Sequence, residues 1–381
     1  MAPVNITIDG QKIQAQAGQT VYEAAAAAGI DIPVLCHHPA LPPEGACRVC
    51  LVEIEKQRNL QPACTYPVTE GMVVQTHSSR AVEARKFALE LIVSDHPLDC
   101  MTCEATGDCR LQDLAYEYQV RDDVFAGGRK HEWPIDDPNP FIQVDRNKCI
   151  LCRRCVRACD YVNGVEAISV VYRGFNAKIA FGMDSTMEDS PCEFCGSCVE
   201  VCPVAALWPK QSIGKGRAYQ LRQVDTVCSY CGVGCKVTLH VKGNEIVKVT
   251  GANGASNHGF TCVKGRFGYD YVNHVDRLSK PLMRRYLVEG GAKPSLHQSN
   301  NGNGQGNYSR TPNPAADWVE VSWDQALDTV AQKFSQTKAA HGGDAFAALC
   351  SARCTNEENF LMMKLTRQVL QTHNIDHCAR L

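Results

Sequence analysis

Alternating apolar and polar residues open the chain. The runs VNITI (4–8) and QKIQAQ (11–16) alternate with the period of a half-buried strand, and an alanine-rich helix is predicted to begin after Thr20. Val, Leu and Ile alternate again on both sides of a Gly-Asn turn in KVTLHVKGNEIVKVTG (236–251), which predicts a β-hairpin. These patterns predict a fold of the α+β multidomain class.

The last part of the chain has a helical period. Apolar residues at 327, 330, 331 and 334 predict a helix ending at Gly342, and the strand DAFAALCS (344–351) follows. Thr355 and Glu358 form a capping box before a second helix, whose Met362–Met363 pair we assign to its buried face. A strand followed by a helix is how α/β nucleotide sites begin, because N–H groups at the helix start face an anion.

Composition limits the possible functions. A formal net charge of −2 over 381 residues provides no field that would attract nucleic acid. No run of about 18 uncharged apolar residues occurs and the N-terminus has no signal-peptide pattern, so we expect a cytoplasmic protein without membrane insertion. Residues 289–317 are rich in Gly, Asn, Ser and Pro, which predicts a flexible insert.

Cysteine is the outlier, with 22 residues clustered at short spacings. Close C-x2-C pairs in a cytoplasmic chain favour metal binding over disulfides, which leaves zinc and iron–sulfur clusters as the alternatives. The first two groups fit either metal. The first group is Cys36, Cys47, Cys50 and Cys64; the second is His96, Cys100, Cys103 and Cys109.

The next two groups favour iron–sulfur clusters. CILCRRCVRAC and CEFCGSCVEVCP each contain C-x2-C-x2-C-x3-C, the bacterial two-cluster ferredoxin signature, in which each fourth cysteine ligates the other cluster. The predicted sets are Cys149, Cys152, Cys155 with Cys202, and Cys192, Cys195, Cys198 with Cys159.

A fifth group, Cys228, Cys231, Cys235 and Cys262, surrounds the predicted hairpin. A zinc ribbon is the alternative here, but the three-plus-one spacing favours a cluster. Filling every group gives one [2Fe–2S] and four [4Fe–4S] clusters, whose common use is to relay single electrons. The five groups leave out only Cys350, Cys354 and Cys378.

The motifs carry family resemblances. The β-β-α opening resembles a plant-type ferredoxin (β-grasp) domain in arrangement, with wider cysteine spacing. The first four groups resemble both iron-only hydrogenases and the catalytic subunit of cytoplasmic molybdenum or tungsten formate dehydrogenases. The first two also resemble the large iron–sulfur subunit of respiratory NADH dehydrogenase. We weigh against that family because its pattern lacks the tandem run at this position.

The fifth group separates the first two families. VCSYCGVGC (227–235) and GFTCVKGRFGYDYVNHVDRLSKPLMR (259–284) resemble the start of a formate dehydrogenase-type molybdopterin oxidoreductase. This resemblance implies that Lys264 bridges cluster and pterin in electron transfer, although a solvated surface lysine is the alternative. SARCTNEEN resembles a segment that contacts a bis-molybdopterin guanine dinucleotide with Mo or W, although a polar loop with a helix cap is the alternative. By that match the pterin contacts are Ser351, Arg353, Asn356 and Glu357.

The chain ends in HNIDHCARL. In the resembled family such a segment runs into the cysteine or selenocysteine that binds the catalytic metal. We therefore expect that ligand immediately after Leu381, and no catalytic ligand within this chain. A selenocysteine codon read as a stop would explain the ending; a fragment or a frameshifted gene is the alternative.

Together these predictions describe the electron-relay portion of a formate dehydrogenase. Formate would be oxidised to CO2, and the electrons would leave through a flavin- and NAD-binding iron–sulfur subunit or through hydrogenase subunits. A stand-alone electron-transfer protein is the alternative, and an iron-only hydrogenase subunit is a remote one. The expected domains are a [2Fe–2S] ferredoxin-like domain (1–78), a one-His three-Cys segment (79–120), a two-[4Fe–4S] ferredoxin domain (138–210), a molybdopterin oxidoreductase [4Fe–4S] domain (222–288), the insert (289–317) and an incomplete α/β molybdopterin domain (318–381).

Overall fold

The computed structural model describes residues 2–121, 124–125, 130–290 and 318–377. These residues form two compact units: Met1–Cys228 with Val233–Asp270, and Ser229–Gly232 with Tyr271–Leu381. Within the described ranges, every helix is too short or too polar to span a lipid bilayer.

The first unit begins with a five-stranded sheet crossed by a helix. Its elements are β1 (Pro3–Ile8), β2 (Gln11–Gln16), α1 (Val21–Ala27), β3 (Leu51–Ile54), β4 (Gln61–Pro62) and β5 (Val73–Gln75). The strand order is β2-β1-β5-β3-β4, with β1 and β5 parallel. Thr20 caps α1 in a capping box with Glu23, so the predicted β-β-α opening and the start of the helix are confirmed.

Two helices follow the sheet. Helix α2 (Ser79–Asp95) ends immediately before His96, and α3 (Arg110–Glu117) begins immediately after Cys109. Leu89, Val93, Leu111 and Leu114 from these helices are buried against Leu35 and Val49 of the first domain. The segment between the helices is thus held on the first domain by one apolar cluster.

The tandem cysteine runs belong to a compact region with two small antiparallel sheets. Strand β6 (Ile142–Val144) pairs with β9 (Leu207–Pro209), and β7 (Ile168–Val171) with β8 (Lys178–Phe181). Each run enters a short helix at its third cysteine, α4 (Arg154–Arg157) and α5 (Ser197–Val201).

The predicted hairpin is confirmed as β11 (Lys236–Lys242) and β12 (Glu245–Gly251), joined through Gly243 at φ 60°. A third strand, β10 (Arg222–Val227), which the sequence pattern did not predict, pairs with β11. Helix α6 (Val263–Phe267) starts immediately after Cys262 and completes the first unit's described elements.

The second unit pairs β13 (Leu282–Arg284) with β14 (Trp318–Glu320), and β15 (Ala348–Cys350) in parallel with β16 (Ile375–His377). Its helices are α7 (Arg285–Val288), α8 (Trp323–His341) and α9 (Asn356–Lys364). The end of α8 at Gly342 and the capping box of α9 are confirmed. Residues 291–317 of the predicted insert and Cys378 lie outside the described residues.

One prediction for this unit is wrong. Met362 does not lie on a buried face, because its side chain is 39% exposed and no residue of α9 is buried. The reason is that the β15–β16 sheet has only two strands, which is too narrow to cover an apolar helix face.

Candidate metal centres

No three His, Cys, Asp or Glu side chains within the described ranges converge on a single ion-sized point. An iron–sulfur cluster does not require such convergence, because its cysteines surround a multi-atom cluster. We therefore judge whether each predicted set fits a cluster from burial, thiol contacts and backbone N–H groups that face sulfur.

The Cys36 site consists of Cys36, Cys47, Cys50 and Cys64. Cys36, Cys50 and Cys64 are fully buried. The four thiols form one hydrogen-bonded group, in which bonds from Cys47 and Cys64 lower the pKa of Cys36, and the Cys50–Cys64 bond completes the set. Such close thiols fit a small cluster.

The loop of the Cys36 site turns its backbone inward. Gly45 at φ 70° and Arg48 at φ 59° adopt the left-handed conformation on either side of Cys47. The N–H groups of Ala46 and Cys47 donate to the Cys36 sulfur. Successive inward N–H groups form an anion-binding concavity, which suits a cluster with negative charge.

The His96 site brings three cysteines together. Cys100, Cys103 and Cys109 act on one another electrostatically, and burial raises the pKa of Cys103 and Cys109. Among the described residues, His96 Nδ1 is buried and has no hydrogen-bond partner. Burial lowers the pKa of His96, which favours the neutral imidazole that binds metals.

The Cys149 site consists of Cys149, Cys152, Cys155 and Cys202, which line a single cavity. The exchange of the fourth cysteine between the two runs is therefore present in the fold. Burial raises the pKa of Cys149 and Cys152 to about 12. Such thiols give up their protons readily only to a strongly positive partner such as iron.

The Cys192 site is its counterpart, with Cys192, Cys195 and Cys198 joined by Cys159. The Ala167 N–H donates to Cys159 Sγ at 3.2 Å, and burial raises the pKa of Cys198. Hydrogen bonds to sulfur of this kind tune cluster potentials.

The two runs share an unusual backbone. Leu151 and Phe194, at equivalent positions, have φ of 51° and 53°. Their N–H groups donate to Cys149 Sγ at 3.5 Å and to Cys192 Sγ at 3.4 Å. Left-handed residues other than glycine are uncommon, so the same strained turn in both runs indicates that each must present an N–H group to sulfur.

The Cys228 site is only partly assembled within the first unit. The Cys228 N–H donates to the Cys235 carbonyl at 2.8 Å, and Cys262 caps the start of α6. Cys231 belongs to the second unit, so its place in the set stays a prediction. Lys264 is an exposed residue of α6.

The predicted pterin contacts lie on the loop between β15 and α9. Arg353, Asn356 and Glu357 are exposed there, and Ser351 is half-buried. The Arg353 N–H donates to Ser351 Oγ at 3.1 Å. The Gly232 N–H, next to Cys231, donates to the Ala352 carbonyl at 2.7 Å. The loop thus lies beside one cysteine of the fifth group within the same unit.

Three of the sites adjoin one apolar cluster. Cys47 of the Cys36 site, Cys109 of the His96 site and both Cys149 and Cys202 of the Cys149 site pack against it. A dry, close-packed region between cofactors shortens the path that an electron crosses.

Arg157 connects two of these sites through their backbones. Its Nη2 donates to the Cys36 carbonyl at 2.6 Å and to the Cys152 carbonyl at 3.2 Å. The residue is 6% exposed, and its Nε pairs with Glu44 at 3.2 Å. One guanidinium therefore holds the Cys36 and Cys149 sites together.

Helix α6 docks onto the Cys192 site in the same manner. Arg266, 3% exposed, forms an ion pair with Glu200 of α5, and Glu200 also accepts from the Gly251 N–H at 3.1 Å. Phe267 packs into the core that contains Cys155 and Cys198. Reasoning from the sequence missed Arg157, Glu200 and Arg266, although the differing charges of RRCVR and GSCVE were a signal.

Comparison with known families divides the chain into five regions. Residues 1–79 match a 2Fe-2S iron-sulfur cluster binding domain, and 85–123 match the NADH-ubiquinone oxidoreductase-G iron-sulfur binding region. Residues 139–208 match the ferredoxin-like domain of NADH-quinone oxidoreductase subunit 3. Residues 221–274 match the molybdopterin oxidoreductase Fe4S4 domain, and 277–381 match molybdopterin oxidoreductase.

Individual relatives align along nearly the whole chain. The NADPH-Fe(3+) oxidoreductase subunit alpha of Geobacter sulfurreducens is 36% identical over 99% of this chain and 40% of its own length. A subunit of the NADH-quinone oxidoreductase of Rhizobium meliloti is 35% identical, with the same coverage. A Staphylococcus aureus protein named provisionally as a formate dehydrogenase is 29% identical over 98% of this chain and 39% of its own. The chain thus spans about 40% of the length of the first two relatives.

A solved structure of a NAD+-reducing [NiFe]-hydrogenase contains a similar chain, with 33% identity and a TM-score of 0.53. The similarity covers 56% of this chain and 91% of the hydrogenase chain.

These matches correct one inference from the sequence. The tandem run does not weigh against the NADH dehydrogenase family, because the region that contains it matches a domain of that enzyme. The predicted combination of 2Fe-2S, 4Fe-4S and molybdopterin domains is confirmed. The chain therefore belongs to the family of NADH-quinone oxidoreductase-G and molybdopterin oxidoreductases, in which it is an iron–sulfur electron-relay module.

Proposed function

We propose that this relay serves a molybdopterin enzyme that oxidises formate to CO2, releasing one proton and two electrons. The electrons pass one at a time through the Cys228, Cys192 and Cys149 sites to the His96 and Cys36 sites. A partner subunit that binds flavin and NAD, or a hydrogenase, accepts them. We place the relay in the cytoplasm.

The cofactor assignment follows the cysteine sets. One [2Fe–2S] cluster belongs to the Cys36 site and one [4Fe–4S] cluster to each of the other four sites. Each bound cluster supplies reversible one-electron chemistry. Lys264 places a cation beside the Cys228 site. Ser351, Arg353, Asn356 and Glu357 contact a bis-molybdopterin guanine dinucleotide that carries Mo or W.

The observation that carries this proposal is the chain of contacts between sites. Arg266 and Glu200 join the Cys228 region to the Cys192 site, and Arg157 joins the Cys149 and Cys36 sites. The tandem runs join the two middle sites by exchanging cysteines. Formate as the substrate is supported by the relative provisionally named as a formate dehydrogenase.

A second function is favoured by a separate observation. Residues 85–123 and 139–208 match regions of NADH-oxidising complexes, and the Geobacter relative is named for NADPH. The alternative is therefore an electron-transfer protein that takes electrons from a reduced nicotinamide and has no catalytic metal. The two functions differ in electron donor and in metal content.

The deciding experiment uses the protein purified anaerobically from its own host. We would measure Fe, Mo and W, and then record which donor, formate or NAD(P)H, reduces the clusters. Mo or W with formate-dependent reduction supports the first function. Neither metal, with reduction by NAD(P)H alone, supports the second. Mass spectrometry of the peptide containing Leu381 tests the predicted selenocysteine.

A further inference from the structure

Arg154 carries a buried positive charge that has no carboxylate partner. Among the described residues no Asp or Glu oxygen lies within 4 Å of its guanidinium, and its Nε is buried without a hydrogen-bond partner. The hydrogen bond from its Nη1 to the Val201 carbonyl is long, at 3.5 Å. A cation removed from water normally has a counter-charge.

The groups that act most strongly on this charge are cysteines from two different sites. Cys152 and Cys202 belong to the Cys149 site, and Cys36 and Cys47 belong to the Cys36 site. Arginine stays protonated in proteins, so the guanidinium remains positive between the two sets. A cluster with four thiolate ligands is an anion, which supplies the missing counter-charge on both sides.

The second tandem run provides an internal comparison. Ser197 occupies the position of Arg154, between the second and third cysteines of that run, and is 1% exposed. Both residues begin the short helix after the second cysteine, so the backbone does not require arginine at this position. The charge is present only in the run that faces the Cys36 site.

We propose that Arg154 is a shared counter-charge for the clusters at the Cys36 and Cys149 sites, raising both reduction potentials together. This inference rests on the proposed relay. When one electron moves between these sites, one cluster is oxidised by one electron and the other is reduced by one. No bond or proton changes in this step. Arg154 stays next to the electron before and after the transfer, so it favours reduction at either site without trapping the electron at one.

The test is a redox titration of the full-length holo-protein monitored by electron paramagnetic resonance. In Arg154→Gln we expect the reduction equilibrium constants at both sites to fall at least tenfold, which is about 59 mV for one electron. Arg154→Lys keeps the charge and is expected to stay within tenfold of the wild type at both sites. The Cys192 site should change less than the other two.

The matched control is Arg153→Gln. Arg153 is the adjacent arginine, but its side chain is 46% exposed and pairs with Glu44 at 2.6 Å. Solvent screens such a charge, so its removal should leave both potentials nearly unchanged.

Iron and sulfide are measured for every variant, which separates this inference from the relay itself. A wild type without clusters would overturn both. Unchanged potentials in a fully loaded Arg154→Gln, or a shift at one site only, would refute the shared counter-charge. Loss of clusters from Arg154→Gln but not from Arg154→Lys would support a need for charge. Loss from both variants would show that the side chain acts by packing, against the proposal.

Discussion

Arg157 and Glu200 occupy the same position in the two cysteine runs, two residues after the third cysteine, and make ion pairs of opposite polarity. Arg157 pairs with Glu44 of the first domain, and Glu200 pairs with Arg266 of α6. Two similar half-domains therefore dock onto different neighbours. The charge at one position decides which neighbour each half binds, and this gives the relay its order.

Replacing Arg157 with Gln should destabilise the first unit by about 3 kcal/mol, because the carbonyls of Cys36 and Cys152 lose a charged donor. Thermal unfolding of the anaerobic holo-protein measures the effect. Arg80→Gln is the control, since Arg80 is exposed and its pair with Glu53 is expected to contribute about 0–1 kcal/mol. Equal losses in both variants would contradict the role given to Arg157.

Replacing Glu200 with Gln leaves Arg266 buried without its counter-charge. We expect a loss of about 3 kcal/mol and slower reduction of the Cys192 site from the Cys228 site, measured by denaturation and freeze-quench spectroscopy. Glu245→Gln removes an exposed pair with Lys215 in the same region and should have little effect on either quantity. Normal transfer in Glu200→Gln would argue against docking through this pair.

Gly196 and Gly164 provide a matched pair of substitutions. Both have positive φ, 77° and 65°, so alanine at either position should cost about 1 kcal/mol of backbone strain. A Cβ at Gly196 would also collide with the Arg266 side chain and lie 3.1 Å from the Phe267 ring, whereas nothing lies within 4 Å at Gly164. We expect Gly196→Ala to be about 1–3 kcal/mol worse in denaturation measurements. Similar stabilities would contradict close packing of α6 here.

His240 should make the protein less stable in acid. Burial and the nearby Lys248 lower its pKa to about 4, below the ordinary value of about 6.5 in the unfolded chain. Between these values only the unfolded chain binds the proton, so stability is lost as pH falls. From pH 7 to pH 5 this amounts to roughly 2 kcal/mol. His240→Gln should reduce the loss by that amount in paired denaturation curves, and an unchanged pH dependence would refute the assignment.

The candidate sites were largely predictable because cluster ligation depends on local cysteine spacing. The fold brings Cys202 to Cys149 and Cys159 to Cys198, the sets that the tandem signature predicts. The hairpin and the cap at Thr355 were equally readable, since both depend on nearby residues. Burial of Met362 was not, because it depends on what lies opposite the helix.

The sequence by itself determined the cysteine sets, the small α+β elements that carry them and the helix caps. These features follow from spacing, period and local hydrogen bonding, which act over a few residues. The tertiary structure alone decided which sites adjoin and which charges lie between them. Arg157 meets the Cys36 carbonyl across 121 residues of sequence, and Arg266 meets Glu200 across 66. Such pairs arise from packing of separate domains, a non-local property that no short stretch of sequence encodes.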